Sequence, residues 1–137
     1  MIIITKELSK EAKWIREEVF VKEQGFRDEF DEIDEIATHV VVLEEETNLP
    51  IACCRYYKKE EEYVVGRIAV IKKYRGKQFG QLLLQVVEKE VQKESGKKLS
   101  LSAQKRIQSF YEQQGYVACG EPYLDEFCEH IWMEKIL

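Results

Sequence analysis

The sequence has few of the residues that build metal clusters. Its 137 residues include four cysteines, two histidines and two prolines, and no two cysteines form a C-x-x-C pair. Metal clusters gather Cys and His at short spacings, so we expect no metal here. The four thiols are expected to be free and buried, as is usual in a reducing cytosol.

Long apolar runs and a positive net charge are also lacking. No apolar stretch approaches the roughly 20 residues that span a bilayer. The N-terminal MIIITKELSK has no basic start, so no signal peptide is predicted. The formal net charge of -5 argues against a general nucleic-acid binder. We therefore expect a cytoplasmic protein that binds neither membrane nor nucleic acid.

The composition does support a folded core, because 45% of the residues are hydrophobic. The chain has the length of one ordinary domain and shows neither a repeat nor a linker. We predict a single domain over residues 1–137.

The apolar spacing predicts a mixed α/β (α+β) domain in the order β-α-β-β-β-α-β-α-β-β. The first helix should begin after Ser9 and end near Gln24-Gly25. Gly66, inside a strand, suggests a bulge or a close backbone approach. Gly96 should end the second long helix. The predicted strands are Ile2–Ile4, THVVVLEE, IACCRYYKK, YVVGRIAV, KLSLSA, Tyr116–Cys119 and His130–Ile136, with TNLP as a hairpin turn and Pro122 outside the strands.

An acidic segment runs from Asp28 to Glu35, where six of eight residues are acidic. One interpretation is a solvated loop or a short helical turn. The other is a rim that attracts a cationic substrate. The sequence leaves both open.

The stretch KKYRGKQFGQLLLQVVEKEV places a basic, glycine-containing loop directly before an amphipathic helix. The first turn of a helix has unpaired N–H groups and the positive end of the dipole. Glycines let an anion approach the backbone. The loop is therefore predicted to bind phosphate, and Lys72 and Lys73 add general attraction.

The segment Arg75-Gly76-Lys77-Gln78-Phe79-Gly80 resembles the pyrophosphate-binding loop of the GNAT N-acetyltransferases. That pattern is Arg or Gln, two residues, glycine, one residue, then glycine or alanine. RIAV upstream resembles the strand whose backbone binds pantetheine, and SFYEQQGY downstream resembles the helix that carries the family's tyrosine. IREEVFVKEQGF, the acidic segment, ATHVVV and EHIWMEK resemble the small bacterial ElaA-like branch, so the resemblance spans nearly the whole chain.

The resemblance implies a mixed, mostly antiparallel sheet with flanking helices and a splayed central pair of parallel strands. It also implies transfer of an acetyl group from acetyl-CoA to a primary amine, by direct attack in a ternary complex. Tyr111 would protonate the leaving thiolate. The implied cofactor-binding residues are Ile68, Ala69, Val70, Arg75, Gly76, Lys77, Gln78, Phe79, Gly80, Gln104 and Tyr111.

The sequence departs from the family pattern at three places. Gln78 stands at the inner glycine position, and a positive φ there would count against this placement of the loop, because side chains are disfavoured at such φ. Gln104 stands where many members carry asparagine. The strand YVVGRIAV has no carboxylate at the place where many members carry a glutamate base.

The base and the acceptor pocket therefore have several candidates. Glu23 is a candidate base and substrate contact, and His39 and His130 could serve the same purposes. Each histidine could instead bond a backbone group. Arg67 could hold a substrate carboxylate or pair with the acidic segment.

Two other functions stay open at this point. One is a non-catalytic module that senses acyl-CoA or docks a partner on the same scaffold. The other is a nucleotide-binding protein that uses the same loop. The identity of the amine, which could be small or part of a peptide, and the formation of a homodimer are also left open.

Overall fold

The structure is a computed structural model that describes residues 1–137. The strands are β1 (Ile2–Thr5), β2 (Thr38–Leu43), β3 (Pro50–Lys59), β4 (Glu62–Val70), β5 (Lys98–Gln104), β6 (Val117–Asp125) and β7 (Cys128–Ile136). The helices are α1 (Lys10–Arg16), α2 (Ile33–Ile36), α3 (Phe79–Lys93) and α4 (Gln108–Gln113). A π-helical segment (Glu17–Glu23) continues α1, and 3-10 turns lie at Lys72–Tyr74 and Lys105–Ile107.

The seven strands form one sheet in the order β1-β2-β3-β4-β5-β7-β6. The registered pairs of β1 with β2, β2 with β3, β5 with β7 and β6 with β7 are antiparallel. β4 and β5 are parallel and pair at Tyr63↔Leu99 and Val64↔Ser100. The predicted mixed α/β class, with a mostly antiparallel sheet and one parallel pair, is confirmed.

The chain divides into two compact units. The first comprises Met1–Tyr57 and Val65–Val87, and its fully buried side chains include Ile15, Val40, Val65 and Leu83. The second comprises Lys58–Val64 and Glu88–Leu137, and it buries Val91, Leu99, Leu101 and Met133. The single domain over 1–137 stays a prediction. No helix combines the length and the apolar character needed to cross a membrane.

The first helix begins as predicted, because Ser9 Oγ accepts a hydrogen bond from the Ala12 N–H at 3.1 Å. It also ends as predicted near Gln24-Gly25, although its second half is not α-helical. From Glu17 to Glu23 the chain is π-helical, and Gly25 then adopts φ +82°. Apolar side chains at spacings of three and four do not distinguish these two helix types.

The last two strands are longer than predicted, because β6 continues through Pro122 to Asp125. The register of β6 against β7 shifts between Cys119 and Tyr123. β6 also lies at the edge of the sheet. A proline lacks the N–H that a ladder needs, but an edge strand with a register shift tolerates it.

The end of α3 also differs from the prediction. Ser95, and not Gly96, takes the left-handed conformation, with φ +68°. Gly96 is required for space, because a Cβ there would lie 2.3 Å from Val91 Cγ1 and 2.9 Å from the Tyr63 ring. The glycine is therefore a packing residue of the second unit.

Two of the four free thiols differ from expectation. Cys53 and Cys54 are buried, and burial raises the pKa of Cys53 to about 12. Cys119 and Cys128 are only half-buried, because Cys119 lies on the edge strand β6 and Cys128 begins β7 before its first registered pair with β5, at His130.

Candidate active site

The loop between β4 and α3 has the backbone of an anion site. Gly76 has φ +79° and Gln78 has φ +67°. The first hydrogen bond of α3 runs from the Leu82 N–H to the Gln78 carbonyl at 3.0 Å. The N–H groups at 79–81 consequently have no partner within the helix, and they lie at the positive end of its dipole.

Tyr74 organises this loop, although the sequence analysis did not single it out. Its hydroxyl donates to Glu44 Oε2 at 2.7 Å, a bond that raises the pKa of Tyr74. Its ring meets the Phe79 ring edge-on at 6.2 Å. The ammonium groups of Lys73 and Lys77 lie 5.1 and 5.8 Å from the ring centroid, within cation–π range. An aromatic residue among lysines was the signal that could have found it.

Arg75 and Glu23 form a bidentate ion pair. Arg75 NH1 and NH2 each donate to one oxygen of the Glu23 carboxylate at 2.7 Å. Arg75 Nε donates to the Val70 carbonyl at 3.0 Å. The hydrogen bond to Glu23 raises the pKa of Arg75. A candidate phosphate contact and a candidate base are thus bonded to each other, and the pair ties the end of the π-helical segment to the end of β4.

The backbone candidates for pantetheine lie just before this ion pair. Ile68 and Val70 are half-buried, whereas Ala69 is buried with 2% exposure. The chain then leaves the strand, and the Ile71 N–H donates to the Ile51 carbonyl at 2.9 Å.

The acidic segment is neither wholly solvated nor a simple attractive rim. Arg16 Nε donates to Glu29 Oε2 at 2.8 Å, and Arg16 NH1 donates to Asp34 Oδ1 at 2.7 Å. All three residues are buried, with 1%, 4% and 8% exposure. The short helical turn is present as α2, which contains Asp34. A solvated loop and an attractive rim do not describe Glu29 and Asp34, because both carboxylates are buried and bonded to arginine.

Two further arginines complete this cluster. Arg55 NH1 contacts Asp31 Oδ1 at 2.6 Å and Asp34 Oδ1 at 2.7 Å. Arg67 contacts Glu29 Oε2 at 2.9 Å and Asp31 Oδ2 at 3.2 Å. Of the two alternatives for Arg67, the structure therefore shows pairing with the acidic segment. We call the cluster the arginine–carboxylate network; its members are Arg16, Glu29, Asp31, Asp34, Arg55 and Arg67.

The network shifts the pKa values of its carboxyl groups in different directions. Burial opposes ionisation of Asp34, but hydrogen bonds from Arg16 and Arg55 outweigh it and lower the pKa of Asp34 to about 2. The pKa of Asp31 is also lowered, because Arg55 outweighs partial burial. Burial dominates at Glu29 and raises its pKa. Among these three carboxyl groups, Glu29 is thus the one that binds a proton at the highest pH, although it has little access to solvent.

Both histidines bond backbone carbonyls, as one alternative predicted. His39 Nε2 lies 2.9 Å from the Asp34 carbonyl, and the residue is 1% exposed. His130 Nδ1 lies 2.9 Å from the Cys128 carbonyl, and its ring stacks on Tyr123. Gln104 ends β5 and accepts a hydrogen bond from Arg106 at 3.1 Å.

Tyr111 lies on α4 in an aromatic cluster of the second unit. Its ring meets Phe110 and Tyr116 edge-on, with centroids 5.0 and 6.3 Å away. The residue is 5% exposed. The neighbouring Tyr116 donates its hydroxyl to Glu88 Oε2 at 2.8 Å. The ring of Tyr111 therefore has a packing role, whatever its hydroxyl does.

Comparison with known proteins shows to which family this chain belongs. The model of the acetyltransferase (GNAT) domain matches residues 4–137. The chain belongs to the GNAT acetyltransferase family. The predicted class of enzyme, an acetyltransferase of this family, and the predicted GNAT fold are thereby confirmed.

Individual relatives agree with this result. The chain is 32% identical over 138 residues to an uncharacterized N-acetyltransferase, YjcF, of Bacillus subtilis, covering 98% of this chain and 97% of the relative. The crystal structure of Escherichia coli ElaA matches with a TM-score of 0.84 and 28% identity, covering 98% and 97% of the two chains. A GNAT acetyltransferase from Elizabethkingia anophelis, solved with acetyl-CoA bound, matches with a TM-score of 0.77 over 100% and 97%. At 17% identity, that last likeness shows the fold alone.

Gln78 is the residue where this GNAT loop is unusual. Its φ of +67° is the condition that counts against placing the family pattern here. The same angle is, however, the one that a glycine at that position would supply without strain. The chain thus keeps a glycine-like backbone and carries a side chain on it, so the loop assignment stays a prediction.

Replacing Gln78 by glycine is expected to raise the free energy of unfolding by about 1 kcal/mol. Removing the strain of an L-residue in this conformation gains about 1–2 kcal/mol, and the larger chain entropy that glycine loses on folding offsets part of that gain. Urea unfolding measures the change. Gln85→Gly is the matched control: Gln85 is exposed within α3, so that change should lower stability by about 1 kcal/mol. A loss of stability in Gln78→Gly would show that position 78 is not strained.

Proposed function

We propose that this GNAT enzyme transfers an acetyl group from acetyl-CoA to a primary amine by direct attack in a ternary complex. The observation that carries the proposal is the loop 75–80, in which two left-handed residues precede the unpaired N–H groups at the start of α3. The acetyl-CoA bound in the Elizabethkingia relative supports the choice of acyl donor.

The cofactor contacts would come mainly from the backbone. The N–H groups at 79–81, with Gly76, Lys77 and Gln78, would hold the pyrophosphate, since a helix N-terminus favours an anion. N–H groups near Ile68 and Val70 would hold pantetheine and polarise the thioester carbonyl.

Arg75 would act differently from a simple phosphate contact. Its guanidinium is held by Glu23 and by the Val70 carbonyl. Lys72, Lys73 and Lys77 carry no such bidentate partner and would supply the attraction for the phosphates. Arg75 would therefore shape the loop, while the lysines provide its charge.

Tyr111 would be the acid of the reaction. The amine nitrogen forms a bond to the carbonyl carbon as the carbon–sulfur bond breaks, and the phenolic proton passes to the sulfur. A phenol of pKa about 10 can hydrogen-bond a thiolate whose conjugate acid has a pKa of about 8.5 and protonate it as it leaves. Gln104, which lies shortly before Tyr111 in the sequence, would also contact the cofactor.

The candidate bases Glu23, His39 and His130 are all engaged in other bonds. Glu23 gives both oxygens to Arg75, and each histidine bonds a carbonyl. An alkylammonium has a pKa of about 10 and must lose a proton before attack. We therefore propose that water carries this proton away, with Glu23 guiding the cation electrostatically.

These same engagements favour a second candidate function, a module that senses acyl-CoA without catalysis. Such a module needs the loop 75–80 but not a base. A partner protein or an acyl-CoA would then be the ligand.

One experiment separates the two functions. Binding of acetyl-CoA is measured by calorimetry, and release of free thiol is measured with a panel of primary amines. The enzyme predicts binding and thiol release, whereas the sensing module predicts binding alone. Absence of binding would contradict both, and displacement by ATP as readily as by CoA would indicate a nucleotide site.

A further inference from the structure

Arg67 has an unusual backbone conformation for its place in a strand. It lies within β4, yet its φ is +52°. Residues with a Cβ avoid this region, and they keep it only where their surroundings enforce it. The neighbouring Gly66, which the sequence analysis singled out, has no positive φ, and a Cβ there would meet nothing within 4 Å. The unusual φ angle is thus at the arginine, and we call this point of β4 the kink.

The side chain of Arg67 makes most of its bonds to one residue of the acidic segment, Glu29, and one further bond from NH2 to Asp31 Oδ2 at 3.2 Å. Arg67 Nε lies 2.9 Å from Glu29 Oε2. Arg67 Nε and NH2 also donate to the Glu29 backbone carbonyl at 3.1 and 2.9 Å. Charge-assisted bonds to both the side chain and the main chain of Glu29 fix the guanidinium in position and orientation.

A second arginine, Arg16, also holds Glu29. Arg16 Nε donates to the same carboxylate oxygen at 2.8 Å, and Arg16 NH2 donates to the Glu29 carbonyl at 3.0 Å. Glu29 is 4% exposed, so its carboxylate is not free to move into water. The anchor for Arg67 is consequently rigid.

The kink lies at a defined point of β4. The registered pairs with β5 are at Tyr63 and Val64, before the kink. The proposed pantetheine-binding backbone, Ile68–Val70, comes directly after it. A change in φ at Arg67 would rotate every peptide group that follows, and with it the N–H groups near Ile68 and Val70.

We propose that Glu29 is a positioning residue for acyl-CoA binding: it holds Arg67 in the left-handed conformation and so aims the backbone of 68–70. This inference rests on the proposed function, because it assumes that this backbone binds acyl-CoA. It assigns a role to a buried carboxylate of the acidic segment, and it makes the conformation of Arg67, rather than its charge, the property that binding requires.

The test compares two substitutions of Arg67 that differ only in their tolerance of positive φ. Glycine adopts this conformation without strain, whereas alanine does not. Calorimetry should therefore give Arg67→Gly a Kd for acetyl-CoA within about threefold of the wild type. Arg67→Ala should bind at least tenfold more weakly, which is about 1.4 kcal/mol.

Glu29→Gln completes a double-mutant cycle. Alone it should weaken acetyl-CoA binding about tenfold, because the glutamine oxygen can still accept from Arg67 Nε but lacks the negative charge that strengthens the bond. In the Arg67→Gly background the same change should have an effect of less than about twofold, because glycine needs no anchor. Unfolding by urea, measured separately, reports any loss of stability that is unrelated to binding.

Equal losses of affinity in Arg67→Gly and Arg67→Ala would overturn the inference, because the guanidinium itself would then be needed. A wild-type Kd in Glu29→Gln would also overturn it. If Glu29→Gln does not fold, the comparison of glycine with alanine decides alone. If the wild type does not bind acetyl-CoA, the proposed function fails and this inference fails with it. If the wild type binds and the variants bind equally well, only this inference fails.

Discussion

Replacing Tyr111 by phenylalanine is expected to lower kcat about 100-fold, while the Kd for acetyl-CoA stays within about threefold. Loss of a general acid typically slows a reaction by about 10²–10⁴. The ring packs edge-on against Phe110 and Tyr116, and phenylalanine keeps those contacts. Thiol release and calorimetry on the same preparation measure the two quantities.

Tyr116→Phe is the matched control for this prediction. It removes a hydroxyl from the same aromatic cluster, but that hydroxyl donates to Glu88 at 2.8 Å. We expect a loss of stability of about 1–2 kcal/mol from the broken bond to a carboxylate, with kcat unchanged. Full activity in Tyr111→Phe would remove the acid role and leave Tyr111 as a core residue.

Replacing Arg16 by methionine is expected to lower the free energy of unfolding by about 3–5 kcal/mol. Arg16 is 1% exposed and bonds Glu29 and Asp34. Its removal leaves two buried carboxylates with fewer cationic partners. Lys13→Met, on the exposed side of α1, should change stability by less than about 0.5 kcal/mol. A loss of under about 1 kcal/mol in Arg16→Met would contradict the network's role.

The pH dependence of stability gives an independent check on Arg16. Asp34 has a pKa of about 2 in the folded protein, below its ordinary value of 3.8. The stabilisation from Asp34 is therefore fully present above pH 3.8 and is lost as the pH falls towards 2. The pKa of Glu29 is raised in the folded protein, so its ionisation opposes folding. This loss of stability sets in as the pH rises above 4.5. Arg16→Met should reduce the loss between pH 4 and 2, as urea unfolding at each pH would show.

The loop 75–80 and α3 were predictable from the sequence because their signals are local. Glycine and lysine residues adjoin an apolar repeat at helix spacing, and backbone bonds in a helix join residues four apart. The hairpin between β2 and β3 and the cap at Ser9 are local in the same sense, although the turn lies at 45–47 and Pro50, predicted in the turn, begins β3. In each case the residues that interact are neighbours in the chain, so their types alone indicate the structure.

The partners of the charged side chains were not predictable in this way. Six acidic residues in eight were interpreted as a solvated loop, a short helical turn or an attractive rim, because the sequence does not say which arginines reach them. Glu29 meets Arg16 across 13 positions and Arg67 across 38. Burial then decides which carboxylates are structural, and burial is a property of the folded chain.

The sequence by itself determined the family, the order of the strands and of α1, α3 and α4, and the position of the glycine-containing loop before α3. Only the tertiary structure decided that Arg75 bonds Glu23, 52 positions away, and that Arg67 rather than Gly66 takes a positive φ within β4. The reason is physical. Backbone preferences act over a few residues and are written in residue types, whereas an ion pair depends on which distant segments the sheet brings within 3 Å of each other.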